Sequence, residues 1–136
     1  MPRGAGFDRE CHNRTSKACA NPKVPGWFYD SMAKAVRVGN DKVPTSWGHS
    51  LDMARIACNE SDFRTKVTNS AGTAFGLGQL TKHNIGVAQI SWQHYWNGGY
   101  GHPASYYQIL AMARYIQKRY GSPSAAWQHE WKYNWY

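Results

Sequence analysis

Leu, Ile, Val and Phe together number only 19 of the 136 residues, and no other feature constrains the fold as tightly. Combined with a formal net charge of +8, so small an aliphatic content belongs to chains that cannot bury enough surface to fold. The 7 Trp and 9 Tyr change that outcome, because each buried ring removes a large area from water. A folded core in this chain has to be aromatic. The length suits one compact domain and falls short of two. Rings not used in that core remain available to stack on sugars or bases.

Residues 1–23 are polar and lack periodicity, and they read as an irregular N-terminal arm ahead of one folded domain at 24–136. Pro25-Gly26 introduces a first helix with Phe28, Met32, Ala35 and Val36 on one face and a left-handed stop at Gly39-Asn40. A second helix is expected from Pro44 with Thr45 or Ser46 as cap. Its apolar stripe would run through Trp47, Leu51, Ala54 and Cys58 and bring Glu60 to the helix end. Between 61 and 80 the glycines and Asn69-Ser70 break any helix, while Lys66 to Thr68 suit a short strand, so a small irregular β-hairpin is expected. Thr81 caps a short helix, and residues 92–101 read as an exposed aromatic, Gly-rich loop. The clearest helix spans 103–120, with Pro103 in its first turn, Gly121 past its end, and Arg114, Lys118 and Arg119 complementing its dipole. Ser122-Pro123 opens a last helix through Trp127. The fold class is mostly α with a minor β element.

Cys11, Cys19 and Cys58 make an odd count, which argues against a disulfide framework, although Cys11 and Cys19 could pair. Cys58 in its helical context reads as a small buried hydrophobe. The first residues contain neither an apolar stretch nor a small-residue cleavage site, so no signal peptide is expected. No segment is long and apolar enough to cross a bilayer. The positive charge attracts polyanions, nucleic acid and bacterial wall alike, and does not choose between them.

The eight acidic residues are the most informative set. Glu60 stands out among them, ending an apolar helix and abutting the Gly-rich stretch. Burial disfavours the charged form of a carboxyl, and a proton held near neutral pH is what a general acid needs. By position alone, Glu60 reads more readily as an ordinary exposed helix-end residue.

The stretch Asn59-Glu60-Ser61-Asp62-Phe63, followed by NSAGTAFGLGQL at 69–80, resembles the lytic transglycosylase family of the lysozyme-like superfamily. That family pairs Glu-Ser with a Gly-Leu-x-Gln about twenty residues later. Tyr115-Ile116, Arg119 to Pro123, Ala126 and Trp135-Tyr136 are similar to transglycosylase-type domains of actinobacterial wall enzymes and of phage lysins or tail proteins. The resemblance covers about residues 45–136 and implies an α+β lysozyme-like domain with a glycan cleft. It implies Glu60 as catalytic acid and Ser61 orienting either that acid or the substrate's N-acetyl group. Gly76, Leu77, Gly78 and Gln79 would line the sugar cleft, with Tyr115 and Trp127 as further substrate contacts. Independently, glycines let a polysaccharide approach the backbone where no Cβ intrudes.

A glycosidase working with two carboxylates needs a partner acid across the cleft. Beyond Glu60 the chain offers Asp62, too near in sequence, and Glu130, in the last helix, while the hairpin contains none. A single-acid route to 1,6-anhydro ends is therefore expected on peptidoglycan, with hydrolysis by water as the alternative. No metal or cofactor is expected, and the chain is read as a monomer that neither binds nucleic acid nor inserts into membranes. It would act at the bacterial wall, delivered by a phage or as part of a larger exported or virion protein. Trp92, Tyr95, Trp96, Tyr100, Trp127, Trp131, Trp135 and Tyr136 are candidate sugar platforms, though core packing suits any one of them. Competing readings are a cysteine peptidase using Cys58 with His83, His94 or His102, and a basic aromatic module for wall glycan or single-stranded nucleic acid. The six histidines lack metal-ligand spacing.

Overall fold

The computed structural model describes residues 16–39, 43–97 and 106–136. Within them lie six α-helices: α1 Gly26–Gly39, α2 Leu51–Ser61, α3 Lys82–Val87, α4 Trp92–Asn97, α5 Tyr106–Arg119 and α6 Pro123–Tyr133. Two short 3₁₀ turns, Ser16–Cys19 and Thr45–His49, precede α1 and α2. The fold class is mostly α, as expected. The expected hairpin is reduced to two isolated antiparallel bridges, Thr68 with Phe75 and Phe75 with Leu80. Among the described residues no helix is long and apolar enough to cross a membrane.

α5 is the hub, packing on α1, α3, α4 and α6, while α2 packs on α6 and on the Ser16–Cys19 turn. Phe28 and Met32 of α1, Met53 and Ile56 of α2, and Ile109, Met112 and Ile116 of α5 are fully buried. Tyr95 and Tyr136 are the largest side chains enclosed. The expected aromatic core is only partly met: Tyr95, Tyr136 and Phe28 are enclosed, but most of the buried core is Met, Ala, Ile and Leu.

The second helix does not run unbroken from Pro44. A 3₁₀ turn ends at Ser50, whose backbone is extended and whose hydroxyl accepts the Met53 N–H at 3.2 Å, restarting the chain as α2. The cap is therefore Ser50, not Thr45 or Ser46. The restart rotates Leu51 off the core stripe, leaving it 42% exposed. Thr81 does cap α3, accepting from Asn84 N–H at 3.2 Å. Ser122 caps α6, which continues beyond Trp127 to Tyr133. Trp92–Asn97, expected as loop, forms α4, started by the Ser91 hydroxyl accepting from His94 N–H. Tyr100, Pro103 and the rest of that stretch lie outside the described residues, as do Cys11 and Asn40.

Cys58 is no inert hydrophobe. It forms a disulfide with Cys19 across a sequence separation of 39, at a Cα–Cα distance of 5.7 Å. Arg55 Nε reinforces the link by donating to the Ala20 carbonyl at 2.7 Å. The end of the expected arm is therefore fastened to α2, one residue before Asn59-Glu60.

Candidate active site

The last turn of α2 is buried on all sides, with Asn59 and Ser61 fully enclosed and Glu60 2% exposed. Asp62 closes the helix in the left-handed conformation, φ 54°, its N–H bonding the Cys58 carbonyl. Phe63 is left-handed too and packs edge-on against Phe28. Asn59 explains why the turn faces inward: its amide donates to Glu130 on α6 and to Asn134 at 3.2 Å. Ser61 does not turn toward Glu60 or a substrate. Its hydroxyl donates to the Ala57 carbonyl of its own helix at 3.0 Å, the common back-bond of serine inside helices.

The Gly-Leu-Gly-Gln segment is a tight turn closed by reciprocal Phe75–Leu80 backbone bonds of 3.1 and 3.2 Å. Three side chains from distant elements hold it. Gln108 of α5 accepts the Leu77 N–H at 2.7 Å while its amide donates to the Thr65 and Tyr95 carbonyls. The Tyr95 hydroxyl donates to the Phe75 carbonyl at 2.6 Å. The Tyr136 hydroxyl donates to the Gly78 carbonyl at 2.8 Å. Gln79 is fully buried, its amide donating to the Val67 and Gly76 carbonyls from a left-handed backbone, φ 48°. Leu77 is likewise fully buried.

These contacts correct the reason given for the glycines. A Cβ at Gly76, φ 73°, would run into the Gln108 amide, and one at Gly78 into Met112 and the Tyr136 hydroxyl. What approaches the backbone here is the protein's own α5 and Tyr136.

Tyr136 joins the two halves of the motif. Its phenol reaches Gly78 of the turn, and its titration is pushed well above the ordinary range, by burial first and by the Glu60 charge next. Tyr115 donates to the Tyr136 carbonyl at 3.2 Å and meets its ring edge-on. Its own titration is raised by burial, then by Tyr120, with Glu60 and Glu130 adding to the shift. Tyr120 is raised in the same way, burial leading. Glu60, Glu130, Tyr115, Tyr120 and Tyr136 therefore share one electrostatic neighbourhood, in which the phenols stay neutral.

No family model, curated protein or solved structure matches this chain. Its site has to be read from its own geometry.

Of the residues singled out from sequence, Gly76, Leu77, Gly78 and Gln79 form one turn, Tyr115 bonds the Tyr136 that holds it, and Glu60 acts on both tyrosines through its charge. Trp127 stands apart on α6, buried and edge-on to Trp131. Tyr95 and Tyr136, named as possible platforms, are fully enclosed. Trp92 and Trp96 stack on each other at 5.6 Å and both meet Phe75 edge-on, with Lys66 over Trp96 and Lys82 over Trp92, so protein groups already cover their faces. Trp131, 49% exposed, is the indole most open to a ligand. Two cavities have linings that do not include Glu60. One lies at Ala18, Asn21 to Lys23, Cys58, Asp62 and Phe63, the other at His83, Asn84, Val87, Tyr115, Lys118 and Arg119. The disulfide removes Cys58 as a nucleophile. Among the described residues no three His, Cys, Asp or Glu side chains gather as metal ligands.

Sequence reasoning missed Gln108, Asn59 and the structural use of Tyr136. The one available signal was Gln108, a lone polar residue amid the apolar run of the long helix. Glu130, set aside for its place in the last helix, is fully buried against Asn59.

Proposed function

We propose that this chain is a peptidoglycan-cleaving enzyme of the lysozyme-like type, with Glu60 as its single general acid and base. The observation that carries this reading is the junction through Tyr136. A carboxyl 2% exposed at the end of α2 sits in the field of a phenol that itself grips the Gly76–Gln79 turn. Tyr136 thereby supports a link between the Glu-Ser and Gly-Leu-x-Gln elements, whose Glu60 and Gly76 are sixteen residues apart in sequence: it bonds the turn and responds to the charge of Glu60.

In this reading Glu60 gives its proton to the glycosidic oxygen as the bond to C1 of N-acetylmuramic acid breaks. The electron pair leaves with the N-acetylglucosamine oxygen. The carboxylate then takes the proton of the same muramic acid's 6-hydroxyl as that oxygen bonds to C1 and closes a 1,6-anhydro ring. The nucleophile is tethered to the electrophile, so no bound water has to be positioned. The neutral Tyr136 phenol holds the turn through the Gly78 carbonyl. The protein would act on wall glycan strands as a monomer, delivered to the wall from outside or within a larger protein.

Turbidity loss on purified wall, measured for the wild type and for Glu60→Gln, tests the reading. Glu60→Gln should lose at least about 10²-fold in rate while keeping the wild-type circular dichroism. A Glu60→Gln variant as active as the parent removes Glu60 from the mechanism, and wild-type binding without cleavage would favour a wall-binding module.

Glu130 supports a second reading, hydrolysis by a pair of acids, because it acts on the same three tyrosines as Glu60. Mass spectrometry of released sugars separates the two. The single-acid route gives anhydro ends, whereas reducing ends abolished by Glu130→Gln would establish the pair.

A further inference from the structure

The second cavity, about 330 Å³, opens between α3 and α5 and combines charge with an apolar floor. Lys118 and Arg119 come from the last turn of α5, while His83 and Asn84 face them from α3. Val87 and the ring of Tyr115 supply apolar surface, and no acidic residue is part of the lining. The Arg119 guanidinium is already oriented: its Nε donates to the Tyr120 hydroxyl at 3.1 Å, and it lies 5.5 Å from the rings of both Tyr120 and Trp135. Cations at the end of α5 would serve the helix dipole in any case. That does not account for an imidazole and an amide converging on them from a different helix. The volume lies at the lower end of small-ligand sites, room for a short peptide and too small for a folded partner.

We propose that this cavity is a subsite for a carboxylate of the peptide stem carried by the glycan strand, a reading that rests on the peptidoglycan substrate proposed above. Tyr115 links it to the acid's surroundings. The residue lines the cavity, and its hydroxyl donates to the carbonyl of Tyr136, which bonds the Gly78 turn and, like Tyr115, responds to the charge of Glu60. On N-acetylmuramic acid the peptide branches from the sugar a few atoms from the scissile carbon. A strand that presents its linkage to Glu60 must therefore lodge its peptide close to the acid. The hexosamine rings are uncharged, and the negative charge of such a strand resides in the peptide carboxylates. Lys118, Arg119 and His83 provide the matching donors, and Val87 and Tyr115 accept aliphatic side chains of the stem.

The test is an amide-resolved NMR titration of the full chain with a soluble stem tripeptide bearing free carboxylates, beside its fully amidated form. Shifts should concentrate at residues 83–87 and 115–119 and weaken with salt. The amidated peptide should bind less tightly. His83→Gln and Lys118→Glu, both at exposed positions where folding is spared, should each weaken binding by about three- to fivefold. A second measurement compares cleavage of peptide-bearing strands with strands stripped by an amidase. The wild type should prefer the former, and Lys118→Glu should lower that ratio. Peptide bound at these residues by a chain that cleaves no wall supports the subsite and refutes the role of Glu60. Glu60-dependent cleavage with unchanged peptide binding and unchanged preference in both variants overturns the subsite and leaves the enzymatic reading standing.

Discussion

Replacing Gln108 by Met should loosen the Gly76–Gln79 turn more than any surface change could. Met matches the length of the Gln side chain and leaves packing volume nearly unchanged, so the effect isolates hydrogen bonding. The substitution strands three backbone groups: the Leu77 N–H, the Tyr95 carbonyl and the Thr65 carbonyl. Thr65 is half-buried and can recover a water, while the bonds to Leu77 and Tyr95 lie in the interior. At about 1–3 kcal/mol for each buried group left unmet, the net loss is about 3 kcal/mol. For a chain of this size 1 kcal/mol moves the melting temperature by about 3.5 °C, so a fall of about 10 °C is expected by calorimetry. Gln108→Glu sharpens the case. It can still accept from Leu77 but turns an acceptor toward two carbonyls, and it should be less stable at pH 7 than at pH 4, where the carboxyl can hold a proton. A Gln108→Met melting point within about 3 °C of the parent would refute the reasoning, since the turn would then be held by something other than this amide.

Gly72→Ala and Gly76→Ala form a matched pair. Both sites have positive φ, but only Gly76 has a neighbour in the way, so Gly72→Ala should cost about 1 kcal/mol and Gly76→Ala at least about 3 in urea unfolding. Equal costs would show that backbone conformation alone matters. Reducing Cys19–Cys58 frees a 39-residue separation, which the chain-entropy model values at about 4 kcal/mol, and the melting temperature should fall by about 14 °C. A melting point insensitive to reductant would count against the crosslink. Tyr95, Tyr115 and Tyr136 have folded-state pKa values raised above 10.0, burial leading in each. The folded state holds these protons after the unfolded chain has released them. Stability is therefore full below pH 10 and lost above it, by up to about 1.4 kcal/mol per pH unit for each phenol. Urea midpoints at pH 9, 10 and 11 should show the decline, and a flat series would mean the phenols titrate normally.

Local chemistry was enough for what depends on neighbours in sequence. The α1 stripe of Phe28, Met32, Ala35 and Val36, the Thr81 and Ser122 caps and the Gly121 stop were legible, because a cap or a helical face is decided within a few residues. That Glu60 ends a helix was legible for the same reason, but its burial was not, since by position alone it reads as an exposed helix-end residue. The tertiary structure alone decided the rest. Nothing near Cys58 specifies Cys19, nothing near Gly76 specifies Gln108, and nothing in Tyr136 announces that it would be spent on the Gly78 carbonyl. Those pairings are fixed by which helix faces dock, and docking follows the burial of the whole core, not the preferences of any one segment. That is why the sequence could nominate an acid and a turn, whereas the distant phenol and amide that hold the turn were decided only by how the helices dock.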